Sequence, residues 1–230
     1  MNHFINCLVS EGFSRTKEPL TDTLVVHAVA GSGKSTLIRN FLREHPNAFA
    51  CTHSEPDAPN LEGTFIHQFR SPQGEHFNIL DEYCKEPVVG KWDVLIADPL
   101  QYSTPARKPH YIKSSSHRLC NRTCALITEV GIPIKSLRAK EGVVVESGLF
   151  DSPLLGKVIA LDRAAGDLLR AHGVQPLCPT ETLGLEFPVV TVVSTEPIRQ
   201  LKFKHLVYIA LSRHKERLHV LAPGAPDPTN

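Results

Sequence analysis

One turn constrains this chain more than any other segment: Ala28-Val29-Ala30-Gly31-Ser32-Gly33-Lys34-Ser35-Thr36. Two glycines one residue apart let the backbone curl into a nest of N–H groups where a Cβ would clash. Before it, Thr23–Val29 is rich in β-branched and apolar residues and predicts a buried strand. After it, Leu37, Ile38, Phe41 and Leu42 recur at helical spacing until Pro46, predicting a helix over Lys34–Arg43. A strand, a glycine turn and a helix N-terminus together favour a polyphosphate, because amides and the helix dipole both face the negative charge. In the phosphate-loop pattern G-x-x-x-x-G-K-[ST], the lysine reaches the β- and γ-phosphates and the hydroxyl reaches Mg²⁺. Ala30, Gly31, Ser32, Gly33, Lys34, Ser35 and Thr36 are therefore the expected binding residues for ATP or another nucleoside triphosphate. Ala28 stands where the pattern has its first glycine.

A phosphate loop needs partners before it can hydrolyse anything: a metal-side acid, a group that orients water and positive charge for the transition state. Phe77–Asp81 and Val94–Asp98 are short apolar runs that each end in an acid, and with the intervening helices they predict parallel βαβ units. Ligands of such sheets bind at the carboxyl ends of the strands, which would gather the loop, Asp81 and Asp98 along one edge. Asp81 is the expected second Mg²⁺-side acid beside Ser35, and Glu82 the group that polarises water. Gln101, just past a strand end, is the expected γ-phosphate sensor. Arg118 and Arg213 are candidates for an arginine that stabilises transition-state charge.

Six cysteines without a CxxC pair argue against a disulfide framework or a zinc knuckle, and twelve histidines show no HExxH or HxxxH spacing. Cys120 and Cys124 would share a helix face as a small buried pair. The net charge is +1, which names no partner, but residues 103–140 hold eight basic residues against one acidic, a local +7. Such a stretch either tracks a phosphate backbone or is a solvated face balanced by acids elsewhere. No apolar run is long enough to span a bilayer, and the first residues lack a signal-peptide pattern, so a soluble protein of a reducing compartment is expected. Ser103–Pro109, with two prolines, reads as a linker between residues 1–104 and 105–230. Later strand-like runs are expected at Tyr111–Ser115, Gly142–Glu146, Lys157–Leu161, Val189–Ser194 and His219–Ala222, with helices at Asn121–Val130 and Arg163–His172.

The order of the pieces resembles viral superfamily 1 helicases, and most closely the first triple gene block movement proteins of potexviruses. The resemblance rests on Gly31-Ser32-Gly33-Lys34-Ser35, Asp81-Glu82-Tyr83, Asp98-Pro99-Leu100-Gln101-Tyr102 and Ser116-His117-Arg118. It continues through Thr182-Leu183-Gly184-Leu185-Glu186-Phe187 and Ala210-Leu211-Ser212-Arg213-His214, with Ala97 and Ala28 replacing glycines common in the family. It implies two RecA-like domains with the nucleotide between them: residues 1–104 carrying the phosphate loop, and 105–230 supplying Arg118 and Arg213. It further implies that Thr52, Thr64, Thr182 and Glu186 meet single-stranded RNA. By resemblance the biology is movement of viral RNA through plasmodesmata from the host cytoplasm, silencing suppression, self-association, and contact with other movement proteins and coat protein. A small-molecule kinase sharing the phosphate loop is the runner-up among enzymes, though it would leave the runs around Gln101 and Arg213 without a purpose.

Overall fold

A computed structural model describes residues 1–224 and divides the chain into two compact units, Met1–Ser115 and the residues from Ser116 on. In the first unit the elements are α1 (Asn2–Ser10), β1 (Ser14–Arg15), β2 (Leu24–Ala28), α2 (Lys34–Glu44), β3 (Ala48–Thr52), β4 (His67–Gln68), β5 (Phe77–Asp81), β6 (Val94–Ala97) and β7 (Tyr111–Lys113). They form a seven-stranded sheet of order β1-β7-β2-β6-β5-β3-β4, parallel throughout except where β1 meets β7. The central strands are apolar on both sides because both faces of a parallel sheet are covered. Alternate residues divide between two cores. Leu24, Val26, Ala28, Ile79, Val94 and Ile96 face α2, whose Leu37, Ile38, Phe41 and Leu42 pack on them. Val25, Cys51, Leu80, Leu95 and Ala97 face the other way, against Trp92 and Tyr83. Helix α1 closes the first core through Phe4, whose ring meets Phe41 edge-on at 4.9 Å.

The expected domain boundary at 104/105 is not where the structure divides. Strand β7 pairs in parallel with β2, and His110 Nδ1 accepts from Val25 N at 2.8 Å, so residues 105–115 belong to the first unit. Ser103–Pro109 is accordingly a surface connection within that unit rather than a linker. Thr104 donates to the Cys84 carbonyl, and the Pro109 carbonyl accepts from Thr16.

Beyond the first unit come β8 (Ser115–Ser116), α3 (Asn121–Glu129), β9 (Lys135–Ser136), β10 (Val143–Ser147), β11 (Lys157–Ala160), α4 (Arg163–Ala171), β12 (Phe187–Val193), α5 (Lys204–Leu211) and β13 (His214–Leu221). Strands β10-β13-β12-β11 form a parallel sheet, and β8 and β9 form a two-stranded one. Ala165 and Leu169 of α4 cover one face over Val158, Ala160, Val193 and Leu221. Asp162 caps α4 by accepting from Ala165 N at 2.8 Å. Cys120 and Cys124 are both buried, as expected, but Cys120 is the extended N-cap of α3 and only Cys124 lies within the helix. No helix among the described residues is long and apolar enough to cross a membrane.

Candidate nucleotide site and arginine cluster

The phosphate loop lies between β2 and α2, as its residues require. Gly31 has φ +70° and Gly33 φ +95°, left-handed backbone that a side chain rarely adopts. Gly33 is the N-cap of α2 and makes no side-chain cap, so the first amides of the helix are not met by a capping side chain. The Lys34 ammonium curls back onto the loop and donates to the carbonyls of Ala28 and Val29 at 3.0 and 3.5 Å. Ser32 Oγ is buried and has no hydrogen-bond partner among the described residues. An orphan hydroxyl, two left-handed glycines and a buried ammonium fit a polyphosphate, which would supply acceptors to all of them. Ser35, half-buried at the first turn of α2, carries the hydroxyl that would hold Mg²⁺ together with Asp81; Thr36, one residue on, is exposed. Ala28 ends β2 with its side chain in the α2-facing core, so its Cβ occupies the core.

The acids stand at the ends of neighbouring strands. Asp81 closes β5 and is buried; burial and the adjacent Glu82 push its carboxyl well above the usual range, while the Lys34 ammonium pulls it back. A carboxyl pressed in this way is suited to a divalent cation, which would favour the charged form. Glu82 has φ +53°, the sole non-glycine residue with positive φ among those described, and Tyr102 donates to its Oε2 at 3.0 Å. Fully buried Asp98 caps the short 3-10 turn Pro99–Gln101, accepting from Leu100 N at 3.2 Å and from Gln101 Nε2 at 2.8 Å. Behind the loop, His27 of β2 and Tyr83 share a 2.6 Å hydrogen bond, and burial depresses the imidazole to about 4. Lys34, Asp81, Glu82 and Gln101 thus lie at or beyond the carboxyl ends of parallel strands in one unit. Sequence reasoning had no role for His27 or for the Tyr102 hydroxyl: a histidine inside an apolar strand and a tyrosine after a glutamine carry no pattern of their own.

In the second unit four other expected residues converge. Arg118 pairs with Glu186 and donates to the Ser212 carbonyl at 3.0 Å; Lys215 also reaches Glu186, at 3.2 Å. Arg213 is buried, with donors on the carbonyls of Ile209, Thr182 and Leu185 and on Ser212 Oγ. His214 beside it is fully buried, bonded to the Leu211 carbonyl and to Thr123, and burial lowers it to about 4.

The expected RNA contacts divide. Thr52 is 2% exposed and its hydroxyl accepts from Ser54 N, while Thr182 is 0% exposed and donates to the Pro179 carbonyl. Each hydroxyl stabilises its own turn, so neither is presented outward. Thr64, half-exposed in a loop held by Asn60, and exposed Glu186 remain at the surface. The +7 stretch is not one track either. Lys113 is buried over the Phe13 ring, Arg118 is paired with Glu186, Lys108 reaches Glu18, and Arg138 donates to two backbone carbonyls.

Residues 24–222 match the profile of the viral superfamily 1 RNA helicase core domain. The chain belongs to that family. It is 63% identical to the movement and silencing protein TGBp1 of Papaya mosaic potexvirus, covering 100% of this chain and 99% of that one. With the corresponding protein of Plantago asiatica mosaic potexvirus the identity is 51%, over the full length of both. Among solved structures, the arterivirus nonstructural protein 10 helicase in complex with DNA matches with a TM-score of 0.57 at 17% identity. That match covers 88% of this chain and 61% of the helicase chain, so this protein spans about three fifths of its length. The likeness is one of fold: the helicase neighbours have RecA-like cores, and the two larger, mostly parallel sheets here are of that kind.

Proposed function

We propose that the protein is a Mg²⁺-dependent ATPase whose turnover is coupled to binding and remodelling single-stranded viral RNA. The observation that carries this reading is the convergence at one sheet edge of a glycine nest, a buried ammonium and a strand-ending Asp81-Glu82 pair. Ser35 and Asp81 would hold Mg²⁺, which supplies charge neutralisation for the phosphates. Lys34 would leave its loop carbonyls for the β- and γ-phosphates, and Gln101 would report the γ-phosphate to the turn capped by Asp98. Glu82 would take the proton of the attacking water as its oxygen bonds to the γ-phosphorus. The bond to the β–γ bridging oxygen then breaks, and its electron pair departs with ADP. Arg118 and Arg213 would supply positive charge for the transition state.

The names of the potexvirus relatives, movement and silencing protein, support a role in movement and silencing, which here would be cell-to-cell transport of viral RNA and suppression of silencing. With that role come the host cytoplasm and plasmodesmata, self-association, and contact with companion movement proteins and coat protein. The test is phosphate release with and without single-stranded RNA. Wild type should hydrolyse ATP, faster with RNA, and Lys34→Ala should fall to background, since the loop loses its only lysine. Equal rates for the two proteins would refute the enzyme reading.

One observation favours a second reading, in which the protein binds RNA and uses ATP as a structural switch with little turnover. Arg118 is ion-paired with Glu186, and Arg213 is buried with donors on the Ile209 and Thr182 carbonyls, so both have protein partners without any nucleotide. In that case Lys34→Ala retains RNA, with an affinity that falls steeply with added salt.

A further inference from the structure

Glu82 has the structural problem of any water-orienting carboxylate: a long side chain with several rotors must hold one geometry. Its backbone is fixed by strand β5 on one side and by a left-handed φ of +53° on the other. The carboxylate itself is met by the Tyr102 phenol, which donates to Oε2 at 3.0 Å. Tyr102 is placed with care. Its ring packs against the second core of the first unit, and its backbone N–H donates to the Pro99 carbonyl at 3.2 Å. The Asp98-capped turn therefore presents two successive side chains, Gln101 and Tyr102, from one rigid element. Packing alone would be met equally by phenylalanine; the hydroxyl is the one atom the core does not need.

We propose that Tyr102 is a positioning residue for ATP hydrolysis, its phenol locking the Glu82 carboxylate in the orientation that accepts the proton of the attacking water. This rests on the ATPase reading above and deepens it. The turn that carries the γ-phosphate sensor would then also carry the clamp on the base, so a shift of that turn would move both together.

The test compares wild type, Tyr102→Phe, Glu82→Gln and the double variant. Turnover is measured per molecule that binds a non-hydrolysable ATP analogue, which removes any loss from misfolding. Losing one hydrogen bond to a charged group should lower kcat about 10- to 100-fold. KM for ATP and affinity for the analogue should stay within twofold of wild type, because Tyr102 does not touch the phosphates. In single turnover the double variant should be no slower than Glu82→Gln alone, since the clamp has no purpose without the base. A fall in kcat of less than fivefold, a loss carried by KM, or a further slowing in the double variant would overturn the proposal. If wild type itself releases no phosphate, the ATPase reading fails, and the clamp with it. A normal wild type beside an unimpaired Tyr102→Phe defeats only the clamp.

Discussion

Ala28 poses a question at the scale of a single residue: does a methyl group where relatives of the motif carry glycine obstruct the phosphates? Its place in the structure answers it. Ala28 is the last residue of β2, 3% exposed, paired with Lys113 across the sheet and packed among Leu24, Val26 and the α2 side chains. What it offers the loop is its carbonyl, which holds the Lys34 ammonium. Glycine supplies the same carbonyl. Ala28→Gly should therefore leave the affinity for a fluorescent ATP analogue within about twofold. It should cost stability on the order of 1 kcal/mol, from lost packing and a more flexible strand end. Urea titration and nucleotide titration of one sample separate the two effects. Tighter nucleotide binding by the glycine variant would show that the methyl does crowd the site. Ala97, fully buried in β6 on the opposite face, is a core residue for the same reason.

Among whole elements, the second sheet depends on one close approach. Gly156, just before β11, has φ +63°, and a Cβ there would lie 2.3 Å from the Val189 carbonyl oxygen of β12. Both the backbone and the contact reject a side chain. Gly156→Ala should destabilise the second unit by roughly 3 kcal/mol or more, seen as an early transition in thermal unfolding while the first unit holds its own midpoint. A variant melting like wild type would contradict the approach of β11 to β12. Much of the element order could be read from the residues, because β3 and β5 are apolar runs bounded by turn signals and α2 and α4 repeat at helical spacing. Helix α5 could not. Val207–Leu211 is buried on every side, so it has no polar face to give it a period. The first half of β13, His214–Arg217, is mostly charged and exposed, and only the register with β12 makes it a strand. Two prolines suggested a linker at Ser103–Pro109, whereas hydrogen bonds to distant residues set the division later. The site was legible where chemistry imposes spacing, at the phosphate loop and Asp81-Glu82. The burial of Thr52 and Thr182 was not, because a threonine that caps its own turn looks the same in sequence as one facing a ligand.

For the molecule as a whole, burial lowers several imidazoles in each unit, most strongly His27 in the first and His214 in the second, and this shapes how stability responds to acid. His27 in the first unit and His214 in the second are both lowered to about 4 from the usual 6.5. In an unfolded chain they would take up protons near 6.5, and in the folded protein only near 4, so between those values the unfolded state binds more protons. The sign follows. Their contribution is fully present above about 6.5 and is lost as pH falls towards 4. Fully buried His214 contributes on the order of 3 kcal/mol across that window; His27, partly exposed beside Tyr83, contributes less. Protonating His214 would also place a cation beside Arg118 and Arg138 and disturb its bond to Thr123, next to the turn that buries Arg213. The second unit should accordingly be the first to loosen below about pH 5.5, and RNA-stimulated hydrolysis should decline before the affinity for nucleotide does. Denaturant titrations at pH 7.5, 6 and 5, followed unit by unit through hydrogen exchange, check this. His214→Gln, neutral at every pH, should flatten the response of the second unit while leaving that of the first. If instead the second unit keeps its full stability down to pH 5, the His214 imidazole is not buried as described.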